Sequence, residues 1–426
     1  MSILRSFNIG ISGLSSTGRG MGVVSDNIAN AGTFGFKSSR PEFQDTMAAS
    51  LRGIDGGDQL GSGTQISHIT PIFSQGPIQR TELTTDVAVS GNGFFKLKAP
   101  FGFAYTRDGS FRFNKDGYLI NGDGYRVQGL LPNSKGEISN KEGFIRLGNT
   151  TIRAKATENI EMNMNIDSRE MVQEFDLKRP DETSSYRTSI TVYDNVGIAR
   201  LVTFFFNKTS DNVWEYRAMS DGMDVPGGKK GEWVEQGSGT LVFNERGELQ
   251  EEKIKDDIFN FNKGAAKDQK IKLSFGVSIA EGGNGLDAST QFGTRTTLAR
   301  YSQDGSTAAE LGSLSFSDNG ILLAVYNNGE TKNVGQLGLA KFQNNEGLFK
   351  VGRNLFKQTQ KSGQPAFGQP TTGGRGSVLS KSIELSNVDV ANEFVNLMTA
   401  QRNFQANART ITTADKMLQE VLNLKR

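Results

Sequence analysis

The side chains able to do chemistry are few in this chain, and their spacing does not suit it. Histidine occurs once, as His68, and cysteine is absent. Without Cys there are no disulfides, no thiolate nucleophiles and no iron–sulfur or thiolate–zinc sites. One His cannot furnish a two- or three-histidine metal site, nor a catalytic imidazole oriented by a partner His. Carboxylates, lysines, tyrosines and hydroxyls remain. The pairs Glu251-Glu252 and Asp256-Asp257 lie in a mixed-charge stretch and read as solvated surface, without the signs of a two-carboxylate glycosidase. The run from Asp116-Gly117 to Asp123-Gly124 lacks the acidic order and distal Glu of a calcium loop and reads as hairpin turns. Gly227-Gly228-Lys229-Lys230 is a basic turn rather than a phosphate loop, and neither a dinucleotide fingerprint nor a nucleophile elbow is present. His68 reads as a structural or surface residue, and Trp214 and Trp233 as core or half-buried strand positions. The expectation is a chain with no catalytic, metal or cofactor site, and no enzyme.

The elements around these residues point to architecture instead. A length of 426 residues calls for two to four domains. Lys plus Arg number 48 and Asp plus Glu 46, a balance that argues against a broad electrostatic footprint for nucleic acid or acidic lipid. Glycine is abundant at 51 and proline scarce at 9, the mark of many tight turns. No run of about 18 apolar residues is present to span a bilayer. Met1 to Asn30 has no continuous apolar region of the secretory type, so any export is expected to proceed without a cleaved leader.

Both ends carry a heptad rhythm. Leu4, Phe7, Ile11, Leu14, Met21 and Ile28 alternate at spacings of three and four, with Gly18 and Ser25 filling two seam positions. The spacing predicts a helix of about 28 residues. Gly10, Gly13, Gly18, Gly20 and Gly22 each cost ~1 kcal/mol against Ala in a helix interior, so this helix is expected only when packed. At the other end Phe394, Leu397, Phe404, Ala408, Ile411, Leu418 and Leu422 keep the rhythm, with Gln401 and Asp415 as polar interruptions. Ser386 and Asp389 form the S-x-x-D pattern of a capping box ahead of them. Neither stripe can be buried alone, which predicts that the two helices pair. The nearly uncharged N-terminal helix further predicts enclosure by neighbouring copies.

Between the ends the chain reads as β. Turn signals at Asp108-Gly109, Asp116-Gly117, Gly122-Asp123-Gly124, Asn319-Gly320 and Asn328-Gly329 separate short strand-like runs. Thr188 to Tyr193 and Ile198 to Phe206 read as a hairpin. The fold class expected is mainly β with a terminal α-helical coiled coil, its β domains discontinuous and nested between the paired helices. The boundaries expected are a terminal domain of 1–32 and 385–426 and an extended connector of 33–75 and 355–384. Inside these come an inner β domain of 76–149 and 290–354 and an outer β domain of 150–289.

Three stretches carry a resemblance. Ser25-Asp26-Asn27-Ile28-Ala29-Asn30-Ala31-Gly32-Thr33-Phe34-Gly35-Phe36-Lys37 resembles a signature of the bacterial flagellar rod and hook axial family, in which Asn27, Ile28, Ala29, Asn30, Thr33, Gly35, Phe36 and Lys37 match. Tyr105-Thr106-Arg107-Asp108-Gly109-Ser110-Phe111 is similar to the family's β region. Ser386-Asn387-Val388-Asp389, Glu393-Phe394, Gln401-Arg402-Asn403-Phe404-Gln405-Ala406-Asn407 and the ending from Ile411 to Gln419 resemble its hook branch more than its shorter distal rod branch.

The resemblance implies a non-enzymatic subunit that polymerises into a flexible, hollow universal joint coupling rod to filament. It also implies export through the flagellar type III apparatus without a cleaved leader. The implied partners are further copies, the distal rod protein, the hook cap and the hook–filament junction protein. No cofactor, nucleic acid or membrane insertion is implied. Assembly is then expected through Leu4, Phe7, Ile11, Leu14, Met21, Ile28, Phe394, Leu397, Phe404, Ile411, Leu418 and Leu422. Gln401, Arg402, Asn403, Gln405, Asn407 and Arg409 are expected to line the channel. A distal rod-type subunit, or a secreted β-rich carbohydrate-active enzyme or adhesin, is the competing reading.

Overall fold

The computed structural model describes residues 2–46, 49–50 and 59–423. It is mainly β, with one long helix near each end: α1, Ser2–Ala29, and α2, Val390–Asn423. Two compact units divide it. The first comprises Met1–Gly148, Gly312–Val325 and Thr331–Arg426, and the second Asn149–Leu311 and Tyr326–Glu330.

In the first unit α1 holds its helix despite its glycines because both flanks are covered. One flank meets α2. The other meets an antiparallel ribbon of β1, Ser39–Asp45, and β2, Thr64–Pro71. Ser12 Oγ accepts from the Thr64 amide at 3.2 Å and Ser16 Oγ donates to the Thr64 carbonyl at 2.9 Å, fastening ribbon to helix. The cap of α2 is Asp389 rather than Ser386. Asp389 Oδ1 accepts from the amides of Ala391 at 3.0 Å and Asn392 at 3.3 Å, satisfying two of the helix's free donors. Ser386 is held back in extended chain, where its Oγ accepts from Val388.

The β part of this unit is an antiparallel sheet centred on Phe94–Ala99, which pairs with Gly102–Thr106 and Arg126–Pro132. Side chains alternate across a strand, so the neighbours Phe94 and Phe95 enter different cores. Phe95 joins Val87, Leu97, Leu119, Val127, Leu337 and Val378. Phe94 joins Tyr105, Phe342 and Phe356. The segments expected as connector are partly strand: Leu355–Lys357 pairs with the sheet, Ser377–Ser380 with Val87–Ser90, and Ser382–Glu384 with Ile78–Arg80.

The hairpin turns have a common device. Asn114 Oδ1 accepts from the amides of Asp116 and Tyr118, and Gly117 takes φ +79° to complete the reversal. Asn121, Asn133, Asp194 and Asn244 repeat the arrangement, each followed three residues later by glycine. The expected turns at 116–117 and 123–124 are therefore set by Asn114 and Asn121, upstream of the Asp-Gly pairs.

The second unit packs two sheets. A five-stranded antiparallel meander runs from Tyr186–Tyr193 through Ala199–Ser210, Val213–Asp221 and Trp233–Phe243 to Leu249–Asp256. Facing it, Asn159–Asp167 pairs in parallel with Lys272–Ser274 and Thr290–Phe292 and antiparallel with Thr297–Gln303. Ile160, Met162, Met164 and Ile166 alternate inward against Val202, Phe204, Phe206, Trp214 and Tyr216. Because Thr290–Phe292 and Thr297–Gln303 complete this second sheet, residues 290–311 belong here and not with the inner domain expected from 290 onward.

Candidate assembly site

The helices α1 and α2 run antiparallel, and glycine lets them meet. A Cβ built on Gly10 would stand 2.9 Å from Ile411 Cγ1, one on Gly13 2.8 Å from Asn407 Nδ2, and one on Gly18 3.8 Å from Phe404 Cε2. Toward the far end Asn27 Nδ2 reaches Glu393 Oε1 at 3.2 Å. The buried line of α1 is Gly10, Gly13, Ser16, Gly20, Val24 and Asn27. That line keeps the expected rhythm but lies to one side of the apolar stripe, because backbone-to-side-chain approach at glycine is closer than any leucine permits.

The expected seam residues divide accordingly. Phe7, Leu14, Met21 and Ile28 are half-buried on α1, as are Leu397, Phe404, Ala408, Ile411 and Leu418 on α2. Ile11 is 45% exposed and Phe394 49% exposed, so neither is buried within the single chain. The side chains of Leu4 and Leu422 lie outside those described. Of the polar set, Gln401, Arg402, Asn403, Gln405 and Arg409 are exposed and Asn407 is half-buried. Asn403 and Asn407 also border a groove of about 890 Å³ between α1, α2 and the ribbon, with Gly20, Val24 and Phe43 among its walls. Asn407 turns inward because Gly13 leaves room for its carboxamide.

Beside the exposed Phe394, Val395 is 55% and Met398 51% exposed. Residues 394, 398, 401, 405 and 409 share one flank at helical spacing. That flank of α2 is thus apolar for its first two turns and polar beyond.

Where the helices join the β part, the stretches that carried the resemblance converge. Asn27 clasps the backbone of Ser39, donating to its carbonyl at 2.8 Å and accepting from its amide at 2.9 Å. Thr33 Oγ1 donates to Asn30 Oδ1 at 3.2 Å. Gly35 takes φ +65° against the backbone of Asp108, and its amide donates to the Glu384 carbonyl at 2.7 Å. Phe36 is buried under Lys350, whose Nζ lies 4.2 Å from the ring centre. Lys37 Nζ stands 2.6 Å from Glu384 Oε1 with both side chains fully buried, and Arg107 Nη1 stands 3.3 Å from Glu384 Oε2. Burial pushes the Lys37 ammonium below its ordinary value, opposed by Glu384. It lowers the Arg107 guanidinium likewise. Asn387 adds a polar clamp, accepting from the Ser38 amide at 2.8 Å and donating to the Ile72 carbonyl at 2.9 Å. No linear spacing signals Glu384 as the partner of Lys37, 347 positions away, or Glu393 as a partner of Asn27, 366 positions away.

Among the described residues no group of three His, Asp or Glu side chains could hold a metal ion. No described helix is long and apolar enough to cross a membrane. His68 is exposed on the ribbon, with Nε2 3.0 Å from Glu42 Oε2. Trp214 is fully buried and donates to Gln291 Oε1 at 3.2 Å. Glu252 departs from the solvated surface expected of it: it is half-buried, and its Oε1 is enclosed with no partner among the described residues.

Along its length the chain is 32% identical to the flagellar hook protein FlgE of Escherichia coli K12, covering 98% of this chain and 100% of that protein. It belongs to the flagellar hook protein family. The hook protein FlgE of Borreliella burgdorferi is 31% identical over 99% of this chain and all of its own, and that of Salmonella typhimurium 32% identical over the same shares. The flagellar hook protein FlgE/F/G D1 domain family matches residues 88–168, the flagellar basal body protein FlaE D2 domain family 159–306, and the flagellar basal body rod FlgEFG protein C-terminal family 379–424. The fold is shared with the crystal structure of Helicobacter pylori flagellar hook protein FlgE2, at a TM-score of 0.51 and 14% identity, covering 71% of this chain and 99% of that one. As a hook protein the chain is a structural subunit of the flagellar hook, which it builds by self-association, and not an enzyme.

Proposed function

We propose that copies of this chain gather through their helix pairs into a coiled-coil inner layer of a hollow, bendable tube that carries torque from rod to filament. The observation that carries this reading is the apolar patch left open on α2, where Phe394, Val395 and Met398 are each about half exposed. Apolar side chains at helical spacing gain by leaving water, and the single chain gives these no cover. In this reading the first turns of α2 bed against a neighbouring copy. The following turns, with Gln401, Arg402, Gln405 and Arg409, face the channel. The nearly uncharged α1 lies outside α2, between it and β structure. The β units form the outer layers, meeting across near-neutral, mixed-charge surfaces that slide as the tube bends.

The reading extends to partners of the same axial kind at each end, namely the distal rod protein, the hook cap and the hook–filament junction protein, and to delivery by the flagellar type III exporter. Electron microscopy of the full-length Phe394→Asp, Met398→Asp variant tests the central claim. The expected result is a monomer with unchanged far-ultraviolet circular dichroism that forms no tubes where the unaltered chain does. Tubes of ordinary number and diameter would overturn the reading, as would an assembly in which α1 lines the channel.

A further inference from the structure

We propose that Lys37, Arg107 and Glu384 form a three-way ionic lock that fixes the helix pair rigidly to the β part of its own unit. The inference concerns the single chain and stands apart from the assembly reading. Each charge comes from a different part of the chain. Lys37 follows α1, Glu384 precedes α2, and Arg107 adjoins the strand Gly102–Thr106. All three side chains are 3% exposed or less. Two cations meet one anion, so the site is closed around a net positive charge.

Every polar contact is directional. Besides Glu384, Lys37 Nζ donates to the Ser74 carbonyl at 2.6 Å, and the Gly76 amide donates to Glu384 Oε1 at 2.9 Å. Arg107 Nη2 donates to the Gly91 carbonyl at 2.7 Å, while its guanidinium lies 5.2 Å from the centre of the Phe94 ring. Its Nε has no acceptor among the described residues.

A buried ion cluster is a poor source of stability, because desolvation offsets the attraction, but it is selective about geometry. Packed hydrocarbon tolerates a slide of one side chain past another. A carboxylate held by an ammonium, a guanidinium and an amide does not. The backbone around the cluster is equally intolerant: Gly35 presses on Asp108 and Gly76 on the Leu385 carbonyl, so no side chain would fit at either. Such a site does not suit mere bulk stabilisation, which apolar residues of the same volume would supply better. It suits a joint that must hold one angle under load.

The test is hydrogen exchange on the full-length monomer, comparing amides at 30–39 and 385–392 with those of the sheet strands 94–99 and 126–132. In Glu384→Gln, exchange at the helix roots is expected to quicken roughly tenfold or more while the sheet stays within about twofold. The variant Lys37→Met, Arg107→Met, Glu384→Met removes all charge together, and decides the matter if Glu384→Gln fails to fold. Its sheet is expected to stay protected and its helix roots to exchange quickly. Roots as protected as in the unaltered chain, or roots and sheet loosening to the same degree, would overturn the lock.

Discussion

The carboxamide of Asn407 rests over Gly13, so close that a Cβ on the glycine would stand 2.8 Å from its Nδ2. Glycine in a helix is usually a liability, and here it sets the distance between two helices.

The glycines of α1 therefore divide by position. Gly22 has nothing within 4 Å of where a Cβ would be, so Gly22→Ala is expected to stabilise the helix by about 1 kcal/mol. Gly13→Val drives the helices apart and is expected to cost about 1–3 kcal/mol. Thermal melts of the monomer followed by circular dichroism at 222 nm should move in opposite directions for the two. A higher midpoint for Gly13→Val would contradict the packing described.

Asn27 makes its contacts through both ends of one amide, to the Ser39 backbone and to Glu393. Asn27→Ala leaves the Ser39 amide and carbonyl without these partners, at an expected cost of about 1–3 kcal/mol. Exchange of the Ser39 amide should rise first, ahead of the sheet amides. If it stays as slow as before, the clasp does not hold β1.

In the second unit Arg200 is buried with Asp194, Nη2 to Oδ2 at 3.1 Å, and reaches Asp224 Oδ1 at 2.7 Å. Arg200→Met strands a buried carboxylate and is expected to cost about 3–5 kcal/mol, and Lys, which lacks the planar fork, should not restore it. Calorimetry should show the loss in the transition of this unit alone. An unchanged thermogram would refute the assignment.

Glu252 ties this unit to pH. Burial pushes its carboxyl up to about 7 from an ordinary 4.5, although the Phe275 amide, 3.3 Å from Oε2, pulls the other way. Below about 4.5 both folded and unfolded chains hold the proton, and the group contributes no pH dependence. Between about 4.5 and 7 only the folded chain holds it, so this group's contribution falls as pH rises. Glu252→Gln should flatten that part of the stability profile and raise the midpoint at pH 8. A slope identical to that of the unaltered chain would show that Glu252 is ionised at no cost.

What could be read from the linear chain was whatever lies close within it. The period of three and four gave both helices, even α1 with its glycines, and the Asp-Gly pairs gave hairpins. The face of α1 that packs was displaced, because small residues carry no signal in an apolar stripe yet permit the nearest approach. The edge of the second unit was misplaced because Thr290–Phe292 pairs with Asn159–Asp167, and no change in composition marks the crossing. Lys37 was visible as part of a motif. Its partner Glu384 was not, since a lone acid in Ser382–Glu384 looks like any surface strand residue.

Lys37 and Glu384 are separated by 347 positions. A chain that emerges N-terminus first, whether from a ribosome or from a narrow conduit, shows Lys37 early and must wait for nearly everything else before Glu384 appears. Until that moment α1 has its ribbon, but neither its companion helix nor the ion cluster at its root. The subunit thus carries a clock in its own connectivity, and its stiffest joint closes among the last.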